Sequence, residues 1–349
     1  MSGSPSETLE PLDHLLGRHG LAGIPEEPFP NDGWSGAALR LLRRGGGDRF
    51  VLKRDSLARD WIAQATADGP ILREAWFAAH RPPLPSPIQA PYLGAGVDGD
   101  EFGVLMPDLT GVLFDWDAPI SVEELDHVLD GLASLHAYPW TVSGYLEGGM
   151  WCPLRERVTL ICRASLERHG PARNAVANRI LPGWDAFDRQ AAPSARDLIN
   201  SLGEQPQPLL DLLSTMPSTL IHGDLKLANV GIEPGGSIDL VDWQMVTVAP
   251  VALELGWFLV SNVASLPLQP DDVLARYNAA LVEQGPGGRE IAGDWAAQID
   301  CAILVGLLLR GWRKGADAEA GISLASGVSA VDDLAWWCEQ AVDAAKRIL

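Results

Sequence analysis

The sequence predicts an α+β protein of two unequal parts: a small β-rich lobe over residues 1–107 and a larger helical lobe over residues 108–349. Three observations carry this. The first hundred residues alternate short strand-like runs with Gly- and Pro-rich turns around one central helical stretch. Beyond residue 120, apolar residues recur at helical spacing almost to the end. Only short strand-like segments at 218–221, 230–232 and 237–241 interrupt that helical half.

In order along the chain, residues 8–23 read as a short helix, and Gly33 and Gly36 mark a turn within 31–36. Residues 37–43 and 49–54 form a β-hairpin across Gly45-Gly46-Gly47-Asp48, where glycine supplies the positive φ of a tight turn. A helix is expected from Pro70 to about His80, with Asp68 and Gly69 as cap residues. Pro82, Pro83, Pro85 and Pro87 end it and impose an extended connection. Strands are expected at 88–93 and 102–106. Gly94, Gly96 and Gly99 match GxGxxG literally, but no helix follows, so a β-turn is the expected structure there.

Ser121 and Glu124 make a capping box ahead of Val122, Leu125, Val128, Leu129, Leu132 and Leu135 at helical spacing. His136 ends that helix and reads as a packed or capping residue, because no metal-ligand companion stands near it. Residues 151–216 read as further helices rich in arginine, expected to be a solvated or ion-paired face rather than a partner site.

The composition bounds the partners. The chain has 349 residues, room for two sizeable cores, and 47% of them are hydrophobic, as in an ordered globular protein. Its net charge of −20 argues against general nucleic-acid binding, which needs concentrated Lys and Arg. The four cysteines show no CxxC or zinc-ligand spacing and read as buried free thiols in a reducing cytosol. The N-terminus lacks the basic and apolar regions of a secretory signal. The longest apolar runs, 251–259 and 301–309, fall short of the roughly 20 residues that span a bilayer and read as buried helices. A cytoplasmic protein without nucleic-acid or membrane partners is expected; oligomeric state is not legible.

The chemistry is concentrated in residues 220–244, LIHGDLKLANV followed by IDLVDWQ. Phosphoryl transfer needs a group that orients and deprotonates a hydroxyl, and oxygen ligands for the magnesium that binds nucleotide phosphates. Asp224 suits the first task; Asn229, five residues on, and Asp242, eighteen on, suit the second. Carboxylates with ordinary pKa values near 4 are ionised at neutral pH, as a metal ligand must be.

This stretch resembles the catalytic and metal-binding loops of the aminoglycoside phosphotransferase and choline kinase superfamily, kin of the protein kinases. HGDLKLAN is similar to the His-x-Asp-x-x-x-x-Asn loop, and VDWQ to the DFG segment, with Trp243 where protein kinases have Phe. The resemblance implies a protein-kinase-like bilobal fold, ATP and Mg²⁺ as cofactors, and a small-molecule substrate. It extends to the first lobe. Lys53 resembles the strand lysine that contacts the α- and β-phosphates, and Glu74, twenty-one residues later, its helical partner. Gly33 and Ser35 lie where the family has its nucleotide-covering loop, although the pattern is not GxGxxG. Residues 102–109 resemble the hinge, with Leu105 and Met106 expected to line the adenine pocket. Pro107 removes one backbone donor there, leaving Met106 or Leu109 to supply an N–H. Lys226 is expected near the γ-phosphate, and His222 is expected to pack behind the loop. Glu254 stands where the family has an aspartate bracing the catalytic loop, a departure that leaves the brace's geometry open.

The expected function is therefore an ATP-dependent kinase acting on a hydroxyl of a small molecule. Asp294, Asp300 and Glu254 would suit an amine-bearing acceptor such as an aminoglycoside, amino sugar or amino alcohol; neutral acceptors stay open. Two other readings compete: a nucleotide-binding pseudokinase working as an interaction module through residues 151–216, and a protein kinase. Trp243 and the lack of an APE-like segment disfavour the second.

Overall fold

The computed structural model describes residues 9–30, 33–66, 69–116, 118–140, 146–169, 175–263, 265–324 and 327–349. A six-stranded sheet forms the first lobe, in the spatial order Glu10–Pro11, Gly94–Asp98, Glu101–Pro107, Arg49–Asp55, Ala38–Arg43, Glu27–Pro28. Its centre is antiparallel, with Lys53 opposite both Leu39 and Val104. Because side chains alternate across a strand, Val51 and Lys53 share one face with Val104 and Met106, while Leu52 and Leu105 share the other. The second face is covered by the helix Leu12–Arg18, whose Leu12, Leu15 and Leu16 close a small core with Leu42, Leu52 and Leu105.

Several expectations are corrected. The first helix is Leu12–Arg18, shorter than residues 8–23. A short helix, Trp61–Ala65, was not foreseen; Asp60 caps it, accepting from the Ile62 and Ala63 N–H groups. The central helix is Arg73–His80 and starts after Leu72, not at Pro70; Asp68 lies outside the described residues. Residues 88–93 do not form a strand of this sheet. Only Ile88–Gln89 is extended, and it pairs in parallel with Ile238–Leu240, tying the lobes together. The missing strand is Gly94–Asp98, expected as a turn. Its glycines answer to packing: a Cβ on Gly96 would stand 2.8 Å from the Leu12 Cα, so the helix can approach only a bare backbone.

In the helical lobe, Trp295–Glu319 runs through the middle, packed by Ala175–Gln190, Val251–Ser261 and Ala330–Ile348. This helix is long and apolar enough to cross a membrane by length and composition, but 67% of its most apolar window is buried inside the protein. The capping box at Ser121 and Glu124 forms as expected and starts Val122–Ala137. All four cysteines are free and buried. In the arginine-rich segment, Arg163 pairs with Asp185 and Asp188, Arg189 with Glu319, and Arg196 with Asp197. Arg173 lies outside the described residues.

Candidate active site

The loop carrying Asp224 leaves the strand Thr219–Ile221, which pairs with Thr247–Ala249. Gly223 turns the chain at φ +84°, and a Cβ there would lie 2.0 Å from the Met245 carbonyl oxygen, so only glycine fits. Glu254, fully buried, braces the turn: its carboxylate accepts from the N–H groups of His222 (2.6 Å) and Gly223 (3.0 Å). The glutamate therefore performs the bracing left open by its departure from the family pattern. Burial would raise its pKa, but His136 and His222 and these N–H donors hold it below the usual glutamate value.

The His222 ring is fixed at both nitrogens. Nε2 bonds the Val241 carbonyl (2.9 Å), and Nδ1 accepts from the Asp224 N–H (3.2 Å), a packing role like that expected. His136, also buried, bonds Tyr277 Oη at 2.7 Å and stands 3.7 Å from Glu254. Arg157 Nε donates to the Gly223 carbonyl at 2.6 Å. On the cleft side, Lys226 Nζ pairs with Asp224 Oδ2 at 2.9 Å. Asn229 Nδ2 donates to the Asp224 main-chain oxygen at 2.9 Å, which leaves its carbonyl oxygen as the acceptor end of the amide.

From the other lobe, Lys53 Nζ meets Glu74 Oε2 at 2.6 Å and Asp242 Oδ1 at 2.7 Å. Burial would lower the Lys53 ammonium, but Asp242 and Glu74 hold it above the ordinary lysine value. Burial would likewise raise Asp242; Lys53, then Lys226, outweigh it and bring the carboxyl down to about 2. Asp242 has left-handed backbone angles (φ 66°, ψ 52°), uncommon for a residue with a Cβ. Trp243 behind it stacks on Phe77 at 4.3 Å with the ring planes 12° apart.

Tyr92, which the sequence reading missed, fastens this set. Its hydroxyl donates to Glu74 Oε1 (2.7 Å) and accepts from the N–H groups of Asp242 (2.9 Å) and Trp243 (3.4 Å). Arg73 does similar work alongside, donating to the Gln244 carbonyl at 2.7 Å.

Leu105 does not line the cleft. Register places it opposite Leu52, on the face covered by Leu12–Arg18, whereas Met106 shares the Lys53 face. Asp108 N–H donates to the Arg49 carbonyl (3.1 Å), so alternation along the ladder turns Met106 toward Val51 as well. Of the two donors considered for a hinge contact, Leu109 is therefore the one the ladder leaves over. The loop with Gly33 and Ser35 stands at the lobe interface. Ser35 Oγ accepts from Ala37 N–H (3.4 Å), and the Trp34 carbonyl accepts from Trp61 Nε1 (2.8 Å). Trp34 itself reaches the helical lobe, 6.0 Å from the Trp312 ring.

The acids offered for an amine-bearing acceptor are all engaged. Glu254 braces the loop, Asp300 is forked by Arg347 at 2.6 and 2.8 Å, and Asp294 caps the Trp295–Glu319 helix. Among the described residues no three His, Cys, Asp or Glu side chains gather into a metal cluster. Asn229 and Asp242 offer hard oxygen donors, and Mg²⁺ typically takes one or two protein carboxylates and completes its shell with waters and phosphates.

A sequence model described as the phosphotransferase enzyme family (APH) matches residues 28–292, and the chain belongs to that family. It is a phosphotransferase. No curated protein matches the chain significantly. Among solved structures, spectinomycin phosphotransferase APH(9)-Ia, in complex with ADP and spectinomycin, is similar at 14% identity and TM-score 0.51, over 94% of this chain and 98% of that one. The choline kinase LicA from Streptococcus pneumoniae is similar at 11% identity and TM-score 0.49, over 92% and 93%. The chain thus has the bilobal α+β fold of protein-kinase-like phosphotransferases.

Proposed function

We propose that this protein transfers the γ-phosphoryl group of ATP to a hydroxyl of a small molecule. One observation carries the reading: Lys53, Glu74 and Asp242 converge into a single ion-paired set across the lobes, facing a braced loop that presents Asp224 beside Lys226. Lys53 binds phosphate oxygens and is kept charged by its two carboxylates. Asp224 orients the acceptor hydroxyl and takes its proton as the new O–P bond forms and the bond to ADP breaks. Lys226 offsets charge at the transferring group. Asn229 and Asp242 would hold Mg²⁺, which when bound neutralises phosphate charge. The ADP in the complex of the similar spectinomycin phosphotransferase supports nucleotide use here.

The test is ADP formation with Mg-ATP and a mixed library of aminoglycosides, sugars, sugar acids, nucleosides and amino alcohols, with mass analysis of the products. An acceptor that gains one phosphate supports the reading. Nucleotide binding without transfer to any acceptor would move the chain to a pseudokinase, and phosphate on a protein substrate would make it a protein kinase.

A further inference from the structure

Arginines in this chain are mostly spoken for. With 46 acidic residues against 26 basic ones, carboxylates are in excess, and most described arginines find one. Beside Asp224 the pattern breaks. Arg157, whose Nε holds Gly223, lies with its guanidinium 5.1 Å from the centre of the Trp257 ring. Arg310 lies on the same ring at 5.5 Å and on Trp312 at 5.2 Å. Trp312 meets Trp34, and Arg179 covers Trp34 at 5.5 Å. A run of cations and aromatic rings, Arg157, Trp257, Arg310, Trp312 and Trp34, thus reaches from the loop of Asp224 to the loop of Gly33 and Ser35.

Among the described residues, none of these three arginines forms a salt bridge with a carboxylate. More telling, Arg310 Nε, Trp257 Nε1 and Trp312 Nε1 are all buried without a hydrogen-bond partner. Three N–H donors in one cluster are left unmet, and an unsatisfied buried donor is costly. A guanidinium and two indoles whose buried N–H groups find no hydrogen-bond partner among the described residues are complementary to an anion that also offers an apolar or planar surface. Burial pushes the Arg310 guanidinium down to about 10, with Arg313 adding to the fall and Asp224 and Asp317 opposing it, so it stays charged at neutral pH. Arg157, on the same Trp257 ring as Arg310, donates to the carbonyl of Gly223, the residue before Asp224, so this wall adjoins the loop of the proposed base.

We propose that the acceptor is a hydroxylated acid whose carboxylate pairs with Arg310 while its carbon frame lies against Trp257 and Trp312. This rests on the phosphotransferase reading of the site and assigns its substrate class. It reverses the expectation of an amine, since the acids that would have bound one are occupied and the unpartnered groups are donors.

The test uses matched sets of acid, neutral alcohol and amine on one frame: glucuronate, glucose and glucosamine; glycerate, glycerol and serinol; 4-hydroxyphenylacetate, tyrosol and tyramine. For wild type, Arg310→Gln and Arg310→Lys, kcat/KM is measured with Mg-ATP. Binding is followed by tryptophan fluorescence in the presence of a non-hydrolysable ATP analogue. The acid of at least one set should be preferred over its neutral and amine counterparts. In Arg310→Gln the acid-to-neutral ratio should fall about ten- to hundredfold, the worth of a charge-assisted hydrogen bond, mainly through KM. Arg310→Lys should keep part of it. The ratio is taken within one protein sample, so a partly unfolded variant does not distort it. Preference for an amine or neutral member overturns the proposal. So does an equal loss for acid and neutral acceptors in Arg310→Gln, which would place Arg310 in the transfer step, and so does the absence of Arg310-dependent binding of any acid. The phosphotransferase reading fails separately, if wild type hydrolyses Mg-ATP no faster than Asp242→Ala and phosphorylates nothing.

Discussion

The two sides of the cleft treat charge in opposite ways. On the side proposed for the nucleotide each charged group has an opposite partner: Lys53 bridges Glu74 and Asp242, and Tyr92 satisfies both the glutamate and the backbone at Asp242. On the acceptor side, Arg310 and two indoles keep buried N–H groups unmet. A closed network of opposite charges suits a ligand whose charge is the same in every turnover. An open set of donors stores its complementarity for whatever acceptor arrives. Substitutions on the first side should therefore act on folding and nucleotide affinity together, and those on the second on acceptor choice.

The largest effect expected is at Lys53. Lys53→Met removes the cation between Glu74 and Asp242 and leaves two carboxylates facing each other in a confined site. Breaking a buried pair in this way costs about 3–5 kcal/mol. Denaturant unfolding should register it, and Mg-ATP affinity should fall with it; an unchanged midpoint would mean that the two carboxylates are not coupled through Lys53.

Glu254→Ala comes next. It strips the acceptor from the N–H groups of both His222 and Gly223, at about 1–3 kcal/mol each. The loop carrying Asp224 should lose amide-exchange protection at these two positions before the rest of the lobe does. Tyr92→Phe deletes a hydroxyl with three partners but leaves the ring in place, and about 1–3 kcal/mol should be lost. Its signature is a nucleotide KM that rises while acceptor preference stays constant.

The last effect is pH-dependent. Asp60, buried beneath the Gln244 side chain, is raised to about 7, by burial first and by the charge of Asp55 second. The folded protein therefore holds this proton where the unfolded chain, near 4, has lost it. The stability it contributes is present below about pH 4 and is lost as pH rises toward about 7. Asp60→Asn should flatten that part of the stability profile. Asp242 has the opposite sign: brought down to about 2, it contributes stability above about pH 4 that disappears as pH falls through about 2.

What the sequence revealed follows the same division. The HGDLKLAN and VDWQ stretches are contiguous, so their chemistry is written locally, whereas Lys53, 189 positions from its partner Asp242, and Glu74 are legible only through the family resemblance. Tyr92 was invisible because a lone tyrosine in an expected strand gives no hint of a partner at Asp242, 150 positions away. Leu105 was misplaced because a hinge motif names residues but not faces; its direction follows only from pairing with Leu52. Gly94–Asp98 has the glycine pattern of a turn, and the packing of a helix on Gly96 that makes it a strand has no local signal. Arg310 and Trp312 lie two residues apart on a helix and meet Trp257 and Trp34 from elsewhere, so the acceptor wall exists only in the folded chain.

The most direct test of the central claim compares wild type, Asp224→Asn and Asp242→Asn for two quantities in one experiment: affinity for an ATP analogue with Mg²⁺, and phosphoryl transfer to the best acceptor. Asp224→Asn should bind nucleotide like wild type while transfer falls by about 10²–10⁴-fold, the usual contribution of a general base. Asp242→Asn should lose both. Transfer at the wild-type rate by Asp224→Asn, or nucleotide binding by Asp242→Asn as tight as wild type, would contradict the roles assigned to these two carboxylates.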